Sequence, residues 1–282
     1  MKNLHCHPSK VGNSNFTCYN HEQLEKIAKN LNKSGYKIKI VSDSKNLWQN
    51  INNAMKERCN KEWCWISQPE IKKIDDEEIH EQTFRPEHPE SWNRDSRTWL
   101  TNFDIDAVMS QYEDYYSDFR FFGPVPIDFA DIYTELTNVD LHKLYSNNIK
   151  RIGIVFNLDT HTQSGSHWDA LYLDMRNPDK GIVSFYDSYG TTPEDEVIDL
   201  MAKFISQGLN NNEHQIKLEP LYNPIRHQHK NSECGVYSIN FIITMLRKNC
   251  SKNDFIKVCK DIITDDEMNR FRDIYFRDSG NV

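Results

Sequence analysis

Residues 226–248 read RHQHKNSECGVYSINFIITMLRK. The first eight positions are polar, Cys234 stands directly before Gly235, and the run that follows is largely apolar. A helix that is apolar on all sides has to be buried rather than laid on a surface. The segment therefore predicts a core helix entered from an irregular polar loop. Two readings of Cys234 compete. A buried structural thiol is the ordinary fate of a cysteine. The sharper reading is a nucleophile, because the macrodipole and unpaired N–H groups at a helix start favour a thiolate. Gly235 then lets a substrate backbone approach where a Cβ would stand in the way. Gln228, six residues upstream in a loop that must curl back to the same helix start, offers an amide. That amide would donate to a developing oxyanion alongside the Cys234 backbone N–H.

Upstream of this segment the pattern is one of short strands. RIGIVFNL (151–158), HWDALYLDM (167–175) and GIVSFYDSY (181–189) are separated by the turn-rich DTHTQSGS and RNPDK, and QIKLEPLY (215–222) reads as a fourth strand. PEDEVIDLMAKFISQGL (193–209) is a helix with Pro193 suited to its first turn and acidic residues at its start. Helical patterns lie before the strands at 104–116 and 126–147, and after them at 254–261 and 265–277. Clustered strands with helices on either side indicate an α+β domain.

The first ninety-odd residues differ. NHEQLEKIAKNLNKSG (20–35) is an amphipathic helix with Asn20 as cap, Leu24, Ile27, Ala28 and Leu31 on one face, and Gly35 as stop. LWQNINNAMKER (47–58) repeats the spacing, and the acidic PEIKKIDDEEIHEQ (69–82) is a third candidate helix. RPEHPESWNRDSRT (85–98) carries two prolines and no apolar period, and reads as a linker. The expected organisation is a helical N-terminal arm over 1–95 and a core domain over 96–282.

Composition narrows the class. In 282 residues, 38% apolar with 12% aromatic is enough for a sizeable core. A net charge of −8 argues against general nucleic-acid binding by phosphate neutralisation. No run of 18 apolar residues marks a membrane segment, and MKNLHCHPSK lacks the apolar stretch of a secretory signal, so a soluble, non-exported protein is expected. Seven cysteines, at 6, 18, 59, 64, 234, 250 and 259, follow no framework spacing and read as reduced thiols. His5, Cys6 and His7 with Cys18, or Cys59 with Cys64, are fragments of zinc patterns without a complete ligand array, so neither a metal nor a cofactor is assigned.

A nucleophilic Cys234 needs a base that only the fold can bring near. Among eleven histidines, most lie in the arm or in polar loops (His80, His88, His161, His214, His227, His229), where a solvated side chain is the default. His167 follows the small SGS and opens an apolar strand, while the next strand ends at Asp187 before the turn SYGTTP. If the two strands pair as a hairpin, the start of the first faces the end of the second, and the two side chains come within hydrogen-bond reach. A carboxylate there fixes the imidazole tautomer and supports the imidazolium. Asp169 is the rival orienter, set aside because side chains at i and i+2 of a strand point alike rather than at each other.

The order His167-Trp168, then Asp187, then Gln228-x5-Cys234-Gly235 resembles the adenain/SUMO-protease clan of cysteine peptidases. The fuller resemblance is to the polyprotein-processing proteases of the African swine fever virus type, found in large DNA viruses. It runs through LTNFDIDAVMSQY, SGSHWDALYLDMR, FYDSYGTTP, IRHQHKNSECGVYS and ITDDEMNRFRDIYFR, roughly residues 99–282, and touches the arm only around CWISQPEIK. The resemblance implies a mixed sheet flanked by helices and cleavage after Gly-Gly in structural polyprotein precursors during virion maturation, in the virion and the host cytoplasm. It assigns Cys234 as nucleophile, His167 as base, Asp187 as orienter and Gln228 as oxyanion donor. The swine-fever-type enzymes carry an amide at the Asp187 position, so the carboxylate here follows the SUMO-protease pattern. Trp168 matches the tryptophan that covers the glycine channel of SUMO proteases. Trp99 opens WLTNFD where those enzymes have WLND, with the asparagine shifted by one residue. A channel roofed by indole rings admits glycine because a side chain would collide.

Two other functions use the same residues differently. An isopeptidase acting on ubiquitin-like modifiers needs the same site plus a large docking surface. A catalytically silent assembly module would have no use for all four of Cys234, His167, Asp187 and Gln228. The clan's acetyltransferase chemistry lacks support, since no Lys/Arg cluster suits an acidic nucleotide cofactor.

Overall fold

The computed structural model describes residues 5–12, 14–95, 97–210, 215–249 and 251–278; His214 and Cys250 lie outside the described residues. The chain divides into two compact units, one formed by Met1–His88 with Asp273–Val282, the other by Pro89–Arg272.

In the first unit, helix α1 (His21–Lys33) opens with a capping box: Asn20 accepts from the Gln23 N–H and Gln23 accepts from the Asn20 N–H. Gly35, at φ +97°, turns the chain out of it. Helix α2 (Ser44–Met55) is capped by Asp43. Residues 69–82 form two single turns, α3 (Pro69–Lys72) and α4 (Glu77–His80), instead of one helix. The Asp76 side chain accepts from the Ile79 N–H and so favours a fresh start over continuation. The apolar faces close around Trp65, on which Tyr19 stacks at 5.8 Å.

Cysteines of this unit are paired, Cys6 with Cys18 and Cys59 with Cys64. This corrects the expectation of reduced thiols. Packing sets the pairing: Cys6 bridges to Phe84 as a short antiparallel contact, and the Cys18 N–H is held by the buried Glu62 carboxylate. Neither contact is local in sequence. The segment from Asp273 also joins this unit, with the Arg277 N–H on the Pro86 carbonyl and the His88 N–H on the Arg277 carbonyl. A single cut at 95/96 does not anticipate that return.

The second unit is built on a five-stranded sheet in the order β1-β2-β3-β4-β5: β1 Phe119–Pro126, β2 Arg151–Asn157, β3 Trp168–Asp174, β4 Gly181–Tyr186, β5 Leu218–Tyr222. The outer pairs are parallel and the inner two antiparallel, so the sheet is mixed. Strand β1 is absent from the sequence reading. Gly123, Pro124 and Pro126 disguise it, and its register slips between Phe121 and Pro124, which an edge strand tolerates. The helices are α5 (Asn102–Tyr115), the short α6 (Phe129–Ile132), α7 (Thr134–Thr137) and α8 (Leu141–Ser146), then α9 (Asp195–Leu209), α10 (Cys234–Leu246), α11 (Lys252–Lys260) and α12 (Asp265–Tyr275). Val197, Leu200 and Phe204 of α9 close one core with Ile154, Leu171, Val183 and Phe185 of the sheet. Helix α10 packs on β3, with Phe241 stacked on Tyr186 at 4.7 Å. All its side chains except Thr244 are buried, each apolar one contributing roughly 1.5–3 kcal/mol. Among the described residues no helix is long and apolar enough to cross a membrane.

Candidate active site

Strands β3 and β4 pair antiparallel up to Ala170↔Tyr186. His167 immediately precedes β3 and Asp187 immediately follows β4, so the hairpin brings them together. His167 Nε2 lies 2.6 Å from Asp187 Oδ1, and the ring stacks on Tyr189 at 4.7 Å. Asp187 also accepts from the Tyr189 N–H and the Thr191 N–H, both at 2.9 Å, and from the Thr191 hydroxyl. Burial alone would favour the neutral acid. The hydrogen bonds from His167, Thr191 and Tyr189 outweigh it and hold the carboxyl well below the usual range. For His167 burial disfavours the cation, yet the Asp169 and Asp187 carboxylates and the Cys234 sulfur beside it lift its pKa far above the ordinary imidazole value. With Nε2 turned to the carboxylates, Nδ1 is the nitrogen left for Cys234.

Asp169 is nearer than strand geometry suggests, 3.0 Å from the same Nε2. The argument that i and i+2 side chains cannot meet fails because His167 stands outside β3, where its ring is free to turn back over the strand. One ring nitrogen of His167 and one carboxylate oxygen each of Asp169 and Asp187 lie within 4.8 Å of one another.

Cys234 is buried and heads α10. The starts of α1, α2, α5 and α11 are closed by side chains of Asn20, Asp43, Thr101 and Ser251, but Glu233 makes no such cap. The N–H groups beside the thiol are thus left without a side-chain acceptor, where negative charge is favoured. Gln228 is fully buried and its orientation is fixed: the Ser188 hydroxyl donates to Oε1 at 2.6 Å, and Nε2 donates to the Lys230 carbonyl at 2.8 Å. Nε2 also donates to the Tyr189 hydroxyl at 3.5 Å, so both N–H groups have partners, one of them held only by this long bond. The loop is not free either, since the His227 and Gln228 N–H groups both donate to the Ser188 carbonyl. His227, expected to be solvated, is buried with its ring on the Cys259 carbonyl at 2.8 Å. Burial lowers its pKa, because the polar loop folds inward against α11.

Trp168 donates its indole N–H to the Leu100 carbonyl at 3.0 Å, and with Trp99, which is 41% exposed, lines a cavity of about 420 Å³ that includes Pro124, Tyr133 and His161. Gly235 faces the protein itself: a Cβ there would lie 3.1 Å from Leu100 Cβ and 3.3 Å from Trp168 Cδ1. Its missing side chain seats the indole, a role different from the substrate clearance expected from sequence. A larger depression of about 570 Å³ at the far end of β4, around Lys180 and Gly181, has neither cysteine nor histidine among its lining residues.

Arg272 was invisible to sequence reasoning. It is 1% exposed, donates to the Thr98 and Ser232 carbonyls, and lies over Trp92 at 4.7 Å. One cation thus ties the segment leading to Trp99 to the loop leading to Cys234. Nothing in its helical spacing distinguishes it from a solvated arginine.

Residues 98–281 match the model of the Ulp1 protease family, C-terminal catalytic domain. The chain belongs to the Ulp1 protease family. A protein of Acanthamoeba polyphaga mimivirus named as a thiol protease is 32% identical over 96% of this chain and 93% of its own. The SUMO-1 cysteine protease of African swine fever virus (isolate Pig/Kenya/KEN-50/1950) is 32% identical over 78% of this chain and 83% of its own. The crystal structure of the African swine fever virus protease superposes with a TM-score of 0.71 at 25% identity, over 98% of this chain and 97% of that one. The fold is that of these proteases, and the protein is a viral cysteine protease of the SUMO-protease family.

Proposed function

We propose that this Ulp1-family protease is an endopeptidase that cleaves after Gly-Gly in structural polyprotein precursors during virion maturation, acting in the virion and the host cytoplasm. The observation that carries the reading is the Asp187–His167 hydrogen bond, with the Cys234 sulfur acting on the same imidazole, directly beside Trp168, which with Trp99 lines a cavity. The raised basicity of His167 favours transfer of the Cys234 proton to it, giving a thiolate–imidazolium pair. The thiolate attacks the glycyl carbonyl. The N–H groups at the head of α10 stabilise the oxyanion, joined by the Gln228 N–H that exchanges its long bond to the Tyr189 hydroxyl for the developing charge. His167 returns its proton to the leaving amine, and water, deprotonated by His167, releases the acyl group. Trp168 and Trp99 line the cavity that the entering chain would use, and bulky rings there favour glycine because a side chain would collide. No cofactor or nucleic acid takes part in this scheme.

The test is hydrolysis of Gly-Gly-x peptides beside matched Ala-Gly-x and Gly-Ala-x controls. Cleavage confined to Gly-Gly-x, and abolished in Cys234→Ala and His167→Ala without loss of the fold, is expected. Full activity in Cys234→Ala ends the assignment. The name SUMO-1 cysteine protease borne by the swine fever relatives favours isopeptidase action as a second reading. A ubiquitin-like vinyl sulfone that labels Cys234 as fast as a Gly-Gly peptide probe would turn the assignment toward it.

A further inference from the structure

The scheme above uses one carboxylate, but the site contains two. Continuing the β3–β4 register one pair beyond Ala170↔Tyr186 sets Asp169 directly opposite Asp187. Directly opposed residues share a face, and two like charges there are destabilising. Both residues are 0% exposed, so water does not screen them. The two differ in what surrounds them. Asp187 accepts from His167, Tyr189 and Thr191, whereas neither oxygen of Asp169 receives a hydrogen bond. Asp169 Oδ1 is 3.0 Å from His167 Nε2, but the Nε2–H is directed at Asp187 and makes no well-aligned bond to Asp169. An ionised carboxylate with no donor, buried beside another, is the costliest arrangement available to these groups. A carboxylic acid O–H pointing to its neighbour removes both the repulsion and the missing hydrogen bond.

We propose that Asp169 is a positioning residue that holds a proton at neutral pH: its O–H donates to the Asp187 carboxylate across the hairpin and fixes that carboxylate for its hydrogen bond to His167. The site then carries one negative charge at the pair, matched to one imidazolium. The charged and titratable groups around the pair are His167 ahead of β3, Tyr189 and the Arg226 stacked on it, Glu194 ahead of α9, and Cys234 at the head of α10. Of these only His167 is a cation in direct reach, and it is already satisfied by Asp187. Burial, offset in part by His167 and reinforced by the Asp187 charge, raises the Asp169 carboxyl to about 8. When this proton leaves, a second buried anion faces the imidazolium, holds its proton more firmly, and makes it a weaker acid toward the leaving amine. Activity should therefore fall on the alkaline side for a reason that belongs to Asp169.

The inference rests on His167 and Asp187 being the base and orienter, so two of its readouts do not depend on cleavage. Infrared difference spectra between Asp169→Asn and the parent at neutral pH should show the loss of a protonated-carboxyl C=O band. The sign of the stability effect is also fixed. A folded-state carboxyl raised from about 4 in the unfolded chain to about 8 makes the parent lose stability as pH rises between those values. The melting temperature of Asp169→Asn should accordingly gain on the parent across that window and run parallel above it. In Gly-Gly-x cleavage, Asp169→Asn, which keeps a neutral donor, should retain about tenfold more kcat than Asp169→Ala and move the alkaline limb upward. Absence of the band, or a constant gap in melting temperature, overturns the proposal even if cleavage proceeds. The band and the widening gap without any cleavage would instead count against the catalytic reading and leave the shared proton standing.

Discussion

At the scale of single residues, Asp187 and Arg272 make the clearest predictions. Asp187 is held ionised by His167, Thr191 and Tyr189 against the pull of burial. A carboxyl depressed in the folded state stabilises the fold above its unfolded value of about 4, and that contribution is lost as pH falls through the folded value. Asp187→Asn should therefore be less stable than the parent near neutral pH by roughly 2 kcal/mol, with the gap closing in acid, as read by urea unfolding at several pH values. Its kcat/KM should fall about a hundredfold or more, because an amide cannot neutralise the imidazolium. Arg272 is a cation whose hydrogen bonds run to two backbone carbonyls, Thr98 and Ser232. Arg272→Met fills the space but leaves those carbonyls unpaired, at a cost of about 1–3 kcal/mol each. Loosening both approaches to the site should cut kcat/KM more than the loss of melting temperature explains. The sequence showed His167 and Asp187 because each sits where an apolar strand meets a polar turn. It did not show that Asp169 reaches the same nitrogen or that Arg272 is buried, because both facts depend on side-chain directions that spacing does not encode.

At the scale of elements, the turn after β4 decides how well Asp187 is held. Gly190 has φ +76°, its N–H donates to the Asp187 carbonyl, and a Cβ there would lie 2.7 Å from the Ile225 carbonyl carbon. Gly190→Ala should be destabilising by roughly 2–4 kcal/mol, adding left-handed strain to overpacking against backbone. Its damage should spread to Gln228, whose N–H reaches the Ser188 carbonyl of the same turn. Gly235→Ala is the contrasting case. In the first turn of α10 alanine gains up to about 1 kcal/mol of helix propensity over glycine, but its Cβ crowds Leu100 and Trp168 by a few tenths of an ångström. Thermal unfolding should change little while Gly-Gly-x cleavage drops about tenfold, through displacement of the indole. Helix α10 and strands β2 to β4 were legible because burial on all sides writes continuous apolar runs. Strand β1 was not, since its glycine and prolines are tolerated only by an edge position that the sequence does not reveal.

At the scale of the whole molecule, the sequence indicated a helical arm over 1–95 and an α+β core over 96–282, whereas the compact units are Met1–His88 with Asp273–Val282 and Pro89–Arg272. What it misjudged was the chemistry of the cysteines. An odd count and irregular spacing favoured free thiols, yet the sulfurs of Cys6 and Cys18 are joined, as are those of Cys59 and Cys64, while among the described residues Cys234 and Cys259 are free. Cys6 and Cys18 are held in place by non-local contacts, Cys6 to Phe84 and Cys18 to Glu62, whereas Cys59 and Cys64 are only five residues apart. Alkylation of the unfolded, unreduced full chain, which has seven cysteines, should spare Cys6, Cys18, Cys59 and Cys64 and label Cys234 and Cys259, and prior reduction should expose those four as well, as read by peptide mass spectrometry. Closing a loop of this length stabilises by about 3 kcal/mol, so a thiol reductant should lower the melting temperature of the first unit. The same reductant protects a nucleophilic Cys234 from oxidation. Stability and cleavage should therefore respond to reductant in opposite directions. A Cys6→Ser/Cys18→Ser variant should show the lower melting temperature without reductant, while its cleavage rate still depends on Cys234 being reduced.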